Sequence, residues 1–89
     1  MKERGIDFAD ATLIWLDPNR QHRVDSRRAY GEVRMQTIGM VEHSILFVVF
    51  TERVRQNGED VIRIISARRA NETERAEYHA KTFSLGLLP

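Results

Sequence analysis

The chain contains no cysteine, so neither a disulfide nor a thiolate metal site can supplement its core. That absence fits a reducing compartment without defining one. No apolar run approaches the about 18 residues of a membrane span, and the N-terminus lacks the apolar stretch of a secretory signal. The expectation is a cytoplasmic protein with no membrane attachment. No internal repeat, low-complexity segment or composition shift divides the chain, so residues 1–89 are expected to form one domain. A chain this short buries only about 60–65% of the surface its unfolded form exposes. Lysine is scarce: Lys2 and Lys81 stand against twelve arginines, and the net charge is +1. Bulk charge therefore does not announce a nucleic-acid binder. The choice of arginine points instead to bidentate recognition of planar anions, although a GC-rich genome would raise arginine everywhere.

What is present is a pair of strongly β-forming segments. Ile45–Arg53 and Val61–Arg69 are rich in β-branched and aromatic residues, and Asn57-Gly58 between them is a turn signal. Together they predict a β-hairpin at the centre of a small sheet. The first segment is apolar on both faces, as a covered central strand would be. In the second, strict alternation sets Ile62, Ile64 and Ser66 against Val61, Arg63, Ile65 and Ala67. Arg63 then falls in an apolar row, where an unpaired charge is costly.

The flanking segments complete the pattern. Residues 7–16 predict a short helix capped by Asp7, stapled by Ile6, with Phe8, Ala11, Trp15 and Leu16 as one apolar stripe. Asp17-Pro18 stops it. Residues 17–29 are polar, with Asp25 and Ser26 as turn formers and a short edge strand around His22–Val24. Tyr30–Gly39 alternates as a strand with one buried and one wet face, and Gly39 begins a tight connection. Asn71-Glu-Thr-Glu74 is a capping box, starting a helix that runs to about Lys81 with Ala70, Tyr78 and Phe83 toward the body. The class expected is α+β: a small antiparallel sheet of about three to four strands with an N-terminal and a C-terminal helix.

His22, His43 and His79 are scattered, so no metal or other cofactor is expected, and no Gly-rich phosphate loop or nucleophile elbow occurs. Arginines at the ends of adjacent strands suit recognition of RNA or an acidic partner. They also suit metal-independent RNA cleavage, in which cations stabilise charge at phosphorus while other side chains move protons. Each residue has a plainer role too. Arg68 and Arg69 could bridge Glu72 or Glu74, Glu74 could act only as a cap, Trp15 and Tyr78 could serve packing, and His43 could be a solvated turn residue.

Three stretches, Tyr30-Gly31-Glu32-x-Arg34-x-x-x-Ile38-Gly39, Phe47-Val-Val-Phe-Thr-Glu-Arg53 and Ile62-Arg-Ile-Ile-Ser-Ala-Arg-Arg-Ala70-x-x-x-Glu74, closely resemble the BrnT-type toxins of bacterial toxin–antitoxin modules. The resemblance covers roughly residues 2–80. It implies a RelE-like ribonuclease fold, toxicity through RNA cleavage and translation arrest, and neutralisation by a ribbon-helix-helix antitoxin whose complex binds the operator DNA. Carried over residue by residue, it implies Arg34, Glu52, Arg63 and Arg68 as catalytic residues and Tyr30, Glu32, Arg53 and Arg69 as substrate-binding residues. Glu52 or Glu32 would be the proton acceptor.

The sequence departs from that family in three places. The family's N-terminal strand and helix are expected to be absent before Lys2, through a shortened gene or a misplaced start. Arg28 stands where histidine is common, and Val33 where an acidic residue is common; both changes remove proton-transfer groups. A sheet lacking its first strand would need cover, from a homodimer or a tight partner. The alternative function is a non-catalytic relative that keeps antitoxin binding and operon repression.

Overall fold

The computed structural model describes residues 7–29, 32–54 and 56–85, with side chains for 7–25, 34–52 and 56–84. Helix α1 (Phe8–Ala11) continues into a 3-10 helix (Thr12–Leu16). Strands β1 (Gln21–Ala29), β2 (Glu32–Val41), β3 (Ser44–Val54) and β4 (Asp60–Arg69) follow, then helix α2 (Glu72–Ala80) and a 3-10 turn (Phe83–Leu85). The strands form one antiparallel sheet in the order β1-β2-β3-β4. The α+β class expected from the sequence is the class observed.

Asp7 caps α1 as expected, its carboxylate accepting from the Ala9 N–H at 2.9 Å; Ile6 lies outside the described residues. The expected apolar stripe is corrected. After Ala11 the helix tightens to about three residues per turn, which aligns Ala11, Ile14 and Asp17, and these are the buried positions. Phe8 and Leu16 are left 48% and 77% exposed. Trp15 is half-buried and meets Phe50 edge to face at 5.3 Å.

Strand β3 is central and covered on both faces by this same chain. Ile45, Phe47 and Val49 join Ile38, Ala70, Tyr78 and Phe83 under α2, while Leu46 and Val48 join Ala11 and Ile14 under the N-terminal helices. Burying side chains of this size contributes about 1.5–3 kcal/mol each.

Strand β2 also departs from expectation. The face expected to be wet carries Arg34 and Gln36, both half-buried, because β1 pairs along the outer side of β2. Gly39 does not begin a turn; it sits within β2, which continues to Val41. A side chain there is excluded, since a Cβ on Gly39 would lie 2.6 Å from Ile14 Cγ1. The short edge strand expected near His22–Val24 is nine residues long. It contains Asp25 and Ser26, and its register slips between Val24 and Arg28.

The decisive correction is in β4. Val49 pairs with Ser66 but Phe50 pairs with Ile64, so Ile65 is the extra residue of a bulge. The bulge reverses the alternation beyond it. Arg63 therefore shares a face with Ser66 and Arg68, not with the apolar row of Ala67, and lies opposite Thr51. Gly58, at φ +87°, makes the hairpin turn with Asn57, whose side chain accepts from the Glu59 N–H at 2.9 Å.

Helix α2 has the expected capping box: Asn71 Oδ1 accepts from Glu74 N–H at 2.8 Å and Glu74 Oε1 from Asn71 N–H at 2.9 Å. Gln21 ties the far end to β1, donating to Tyr78 O at 3.0 Å and accepting from Phe83 N–H at 2.9 Å.

Candidate anion-binding site

Arginines with described side chains fall into two groups. Arg20, Arg23, Arg68 and Arg75 each donate to an internal acceptor. Arg34, Arg63 and Arg69 meet no hydrogen-bond acceptor or carboxylate among the described residues, which leaves their guanidinium groups available to a ligand.

Two of these three stand in one row. Arg34 on β2 pairs with Thr51 on β3, and Thr51 pairs with Arg63 on β4. Neighbouring strands lie about 4.8 Å apart, so the two arginines flank Thr51 with roughly 10 Å between their backbones. A gap of that size is within the length of two extended guanidinium side chains. The middle of the row is buried: Thr51 is 1% exposed, and neither its Oγ1 nor the buried Nε of Arg34 has a hydrogen-bond partner among the described residues. Unmet buried polar atoms are uncommon and costly. Side by side, they are two buried polar atoms without a hydrogen-bond partner among the described residues. In the sequence Thr51 reads as an ordinary β-branched strand residue, with nothing to set it apart.

The remaining expected site residues are dispersed. Arg68 grips Glu74 in a bidentate pair, at 2.9 and 3.0 Å, and lies 4.2 Å over the Phe47 ring. This pair ties the end of β4 to the first turn of α2. Glu52 is exposed and pairs with Ile62, on the face opposite the row. Arg69 closes β4 opposite Leu46, far along the strand from Arg63. Tyr30 lies outside the described residues, as do the side chains of Glu32 and Arg53. No group of three potential metal ligands occurs among the described residues, and no helix among them is long and apolar enough to cross a membrane.

The four-stranded sheet thus carries two guanidinium groups, Arg34 and Arg63, in one row without an acceptor among the described residues. The family described as "Ribonuclease toxin, BrnT, of type II toxin-antitoxin system" matches residues 1–74. The chain belongs to this family, and with it go an RNA substrate and an antitoxin partner. No curated protein matches the chain.

Proposed function

We propose that the chain is a metal-independent endoribonuclease of RelE-like fold that holds the scissile phosphate between Arg34 and Arg63 over the Thr51 hydroxyl. The observation that carries this reading is the pair of unmet buried atoms, Arg34 Nε and Thr51 Oγ1, in a row completed by Arg63.

In the reaction, the RNA's own 2′-oxygen attacks the adjacent phosphorus. A P–O2′ bond forms as the P–O5′ bond breaks, and the departing 5′-oxygen takes a proton from solvent water, leaving a 2′,3′-cyclic phosphate and a 5′-hydroxyl. Negative charge grows on the non-bridging oxygens, where the two guanidinium groups and the Thr51 hydroxyl stabilise it. Glu52, on the other face, does not suit the proton acceptor's role. Glu32, two residues before Arg34 in β2, is the remaining carboxylate of the two and takes the 2′-proton in this proposal. Cleavage in the cytoplasm then arrests translation.

The partner is a ribbon-helix-helix antitoxin, and operator DNA is met only through that complex. Exposed Phe8, Leu13, Leu16, Val24 and Ile62, around the sheet face opposite the row, support a protein partner that covers apolar surface. The second reading, a non-catalytic co-repressor, is favoured by one observation: Arg68 is neutralised by Glu74.

Purified protein incubated with RNA and a chelator separates the two. Fragments ending in a cyclic phosphate, lost in Arg63→Ala, support the nuclease. No cleavage and no growth arrest from a protein that still binds antitoxin would leave the co-repressor.

A further inference from the structure

The third unmatched arginine belongs to a separate concavity. Where the β2–β3 turn meets the β4–α2 junction, His43, Arg69, Arg75 and His79 line an open depression of about 340 Å³ whose apolar floor includes Ile45 and Ala70. No lining residue is acidic. Glu42, adjacent to His43, lines a different depression beside Leu13 and Leu16. Neither Arg69 nor either histidine has a side-chain hydrogen-bond partner among the described residues. Arg75 gives one donor to Ala70 O at 2.9 Å, which fixes its guanidinium at the rim. Four cationic or protonatable groups around one hollow, with nothing negative among them, form a site for an anion.

We infer that this depression is a second phosphate subsite, holding the RNA strand some nucleotides away from the scissile bond. The inference rests on the nuclease reading of the Arg34–Thr51–Arg63 row. Arg63 and Arg69 lie six residues apart on β4, roughly 20 Å along the strand at its usual rise. β4 is an edge strand on which exposed Ser66 and Arg68 share the face of Arg63, while Arg69 turns to the other face at the strand's end, beside Ala70 of the depression. The strand between the two sites is thus open to solvent at Ser66 and at Arg68, the latter paired with Glu74. A polyanion with evenly repeated charge bridges both sites, whereas an acidic protein segment has no reason to span them. The planar faces of His79 and the guanidinium groups also suit stacking by unpaired bases.

The test uses 2′-O-methyl oligoribonucleotides, which cannot supply the attacking oxygen, so binding is read without cleavage. One is long, about twelve nucleotides, and one short, about three. Expected for Arg69→Gln combined with His79→Gln is about tenfold weaker binding of the long oligonucleotide at low salt. Its salt dependence should become shallower by about 0.7 for each phosphate that is no longer neutralised, with affinity for the short one unchanged. In the unmutated protein, the imidazole NMR signals of His43 and His79 should move with the long oligonucleotide and not with the short one. This readout holds even if the variant folds poorly. Unchanged affinity in the folded variant would overturn the subsite, as would imidazole signals that answer only to a polyglutamate peptide. Either result beside intact RNA cleavage by the unmutated protein removes the second site alone. Loss of both binding and cleavage removes the nuclease reading with it.

Discussion

Tyr78 Oη donates to Asp17 Oδ2 at 2.5 Å, joining residues 61 apart in sequence. The same carboxylate accepts from the Met40 N–H at 2.7 Å and, through Oδ1, from the Asn19 N–H at 2.9 Å. One buried side chain thus ties the N-terminal helices, the end of β2 and α2 into a single frame. It also occupies the β2 edge beyond the point where β1 begins. The candidate site depends on this frame, because α2 and β2 set the face on which Arg34 and Arg63 stand.

The tie predicts a stability profile with two limits. Burial pushes the Asp17 carboxyl up, but bonds from Tyr78, Met40 and Asn19 and the nearby charge of Arg20 outweigh it, so the carboxyl sits below its ordinary 3.8. Its contribution is therefore present above pH 3.8 and is lost as pH falls through the lower folded value. Burial first, then the bond to Asp17 and its charge, push the Tyr78 hydroxyl up from 10.0 to about 12. That contribution is present below pH 10.0 and disappears as pH rises toward about 12. Tyr78→Phe should cost about 1–2 kcal/mol at neutral pH in urea unfolding and remove the alkaline limit. An alkaline limb unchanged in that variant would refute the assignment.

Thr51→Val tests the buried centre of the row. Replacing an unmet buried hydroxyl by a methyl of similar shape should leave folding stability unchanged or raise it by up to about 1 kcal/mol. RNA cleavage should fall, and Thr51→Ser should retain it. A valine variant as active as the unmutated protein would take the hydroxyl out of the site.

Arg63→Ala and Arg68→Ala should separate function from architecture. Arg63 is exposed and has no internal partner among the described residues, so its removal should change stability by less than about 0.5 kcal/mol. Cleavage should fall by about 10²–10³-fold. Removing Arg68 strands the buried Glu74 carboxylate, and should cost about 1 kcal/mol or more in thermal or urea unfolding. A double-mutant cycle with Glu74→Gln should recover much of that as coupling. Full stability with abolished cleavage in Arg68→Ala would return Arg68 to the catalytic set.

Gly39→Ala should destabilise the protein by about 1–3 kcal/mol, as overpacking does in close-packed cores. The added Cβ meets Ile14, a fully buried branched side chain with little room to move. Because Ile14→Ala removes the Cγ1 that the added carbon meets, the two changes together should lower the melting temperature by less than the sum of each alone. A fully stable Gly39→Ala variant would show that the 3-10 helix is not seated there.

Local chemistry was legible along the chain. The Asp7 cap, the Asp17-Pro18 stop, the Asn57-Gly58 turn, the Asn71–Glu74 box and the doubly covered β3 are all decided within a few neighbouring residues, so they could be read directly. The unusual use of arginine was also plain, and with it an appetite for anions. Which arginines remain available was not. Arg68 looked no different from Arg63 until α2 brought Glu74 against it.

The sequence by itself determined the α+β elements and the pool of candidate cations, because hydrophobic period, caps and turns are local properties. Only the tertiary structure decided which of those cations stand together. A single extra residue at Ile65 reverses side-chain direction along β4, and strand register then sets Arg63 beside Thr51 and Arg34. The physical reason is that a strand's period is two. One bulge exchanges its faces, and pairing between distant segments leaves no local mark by which that exchange could be seen.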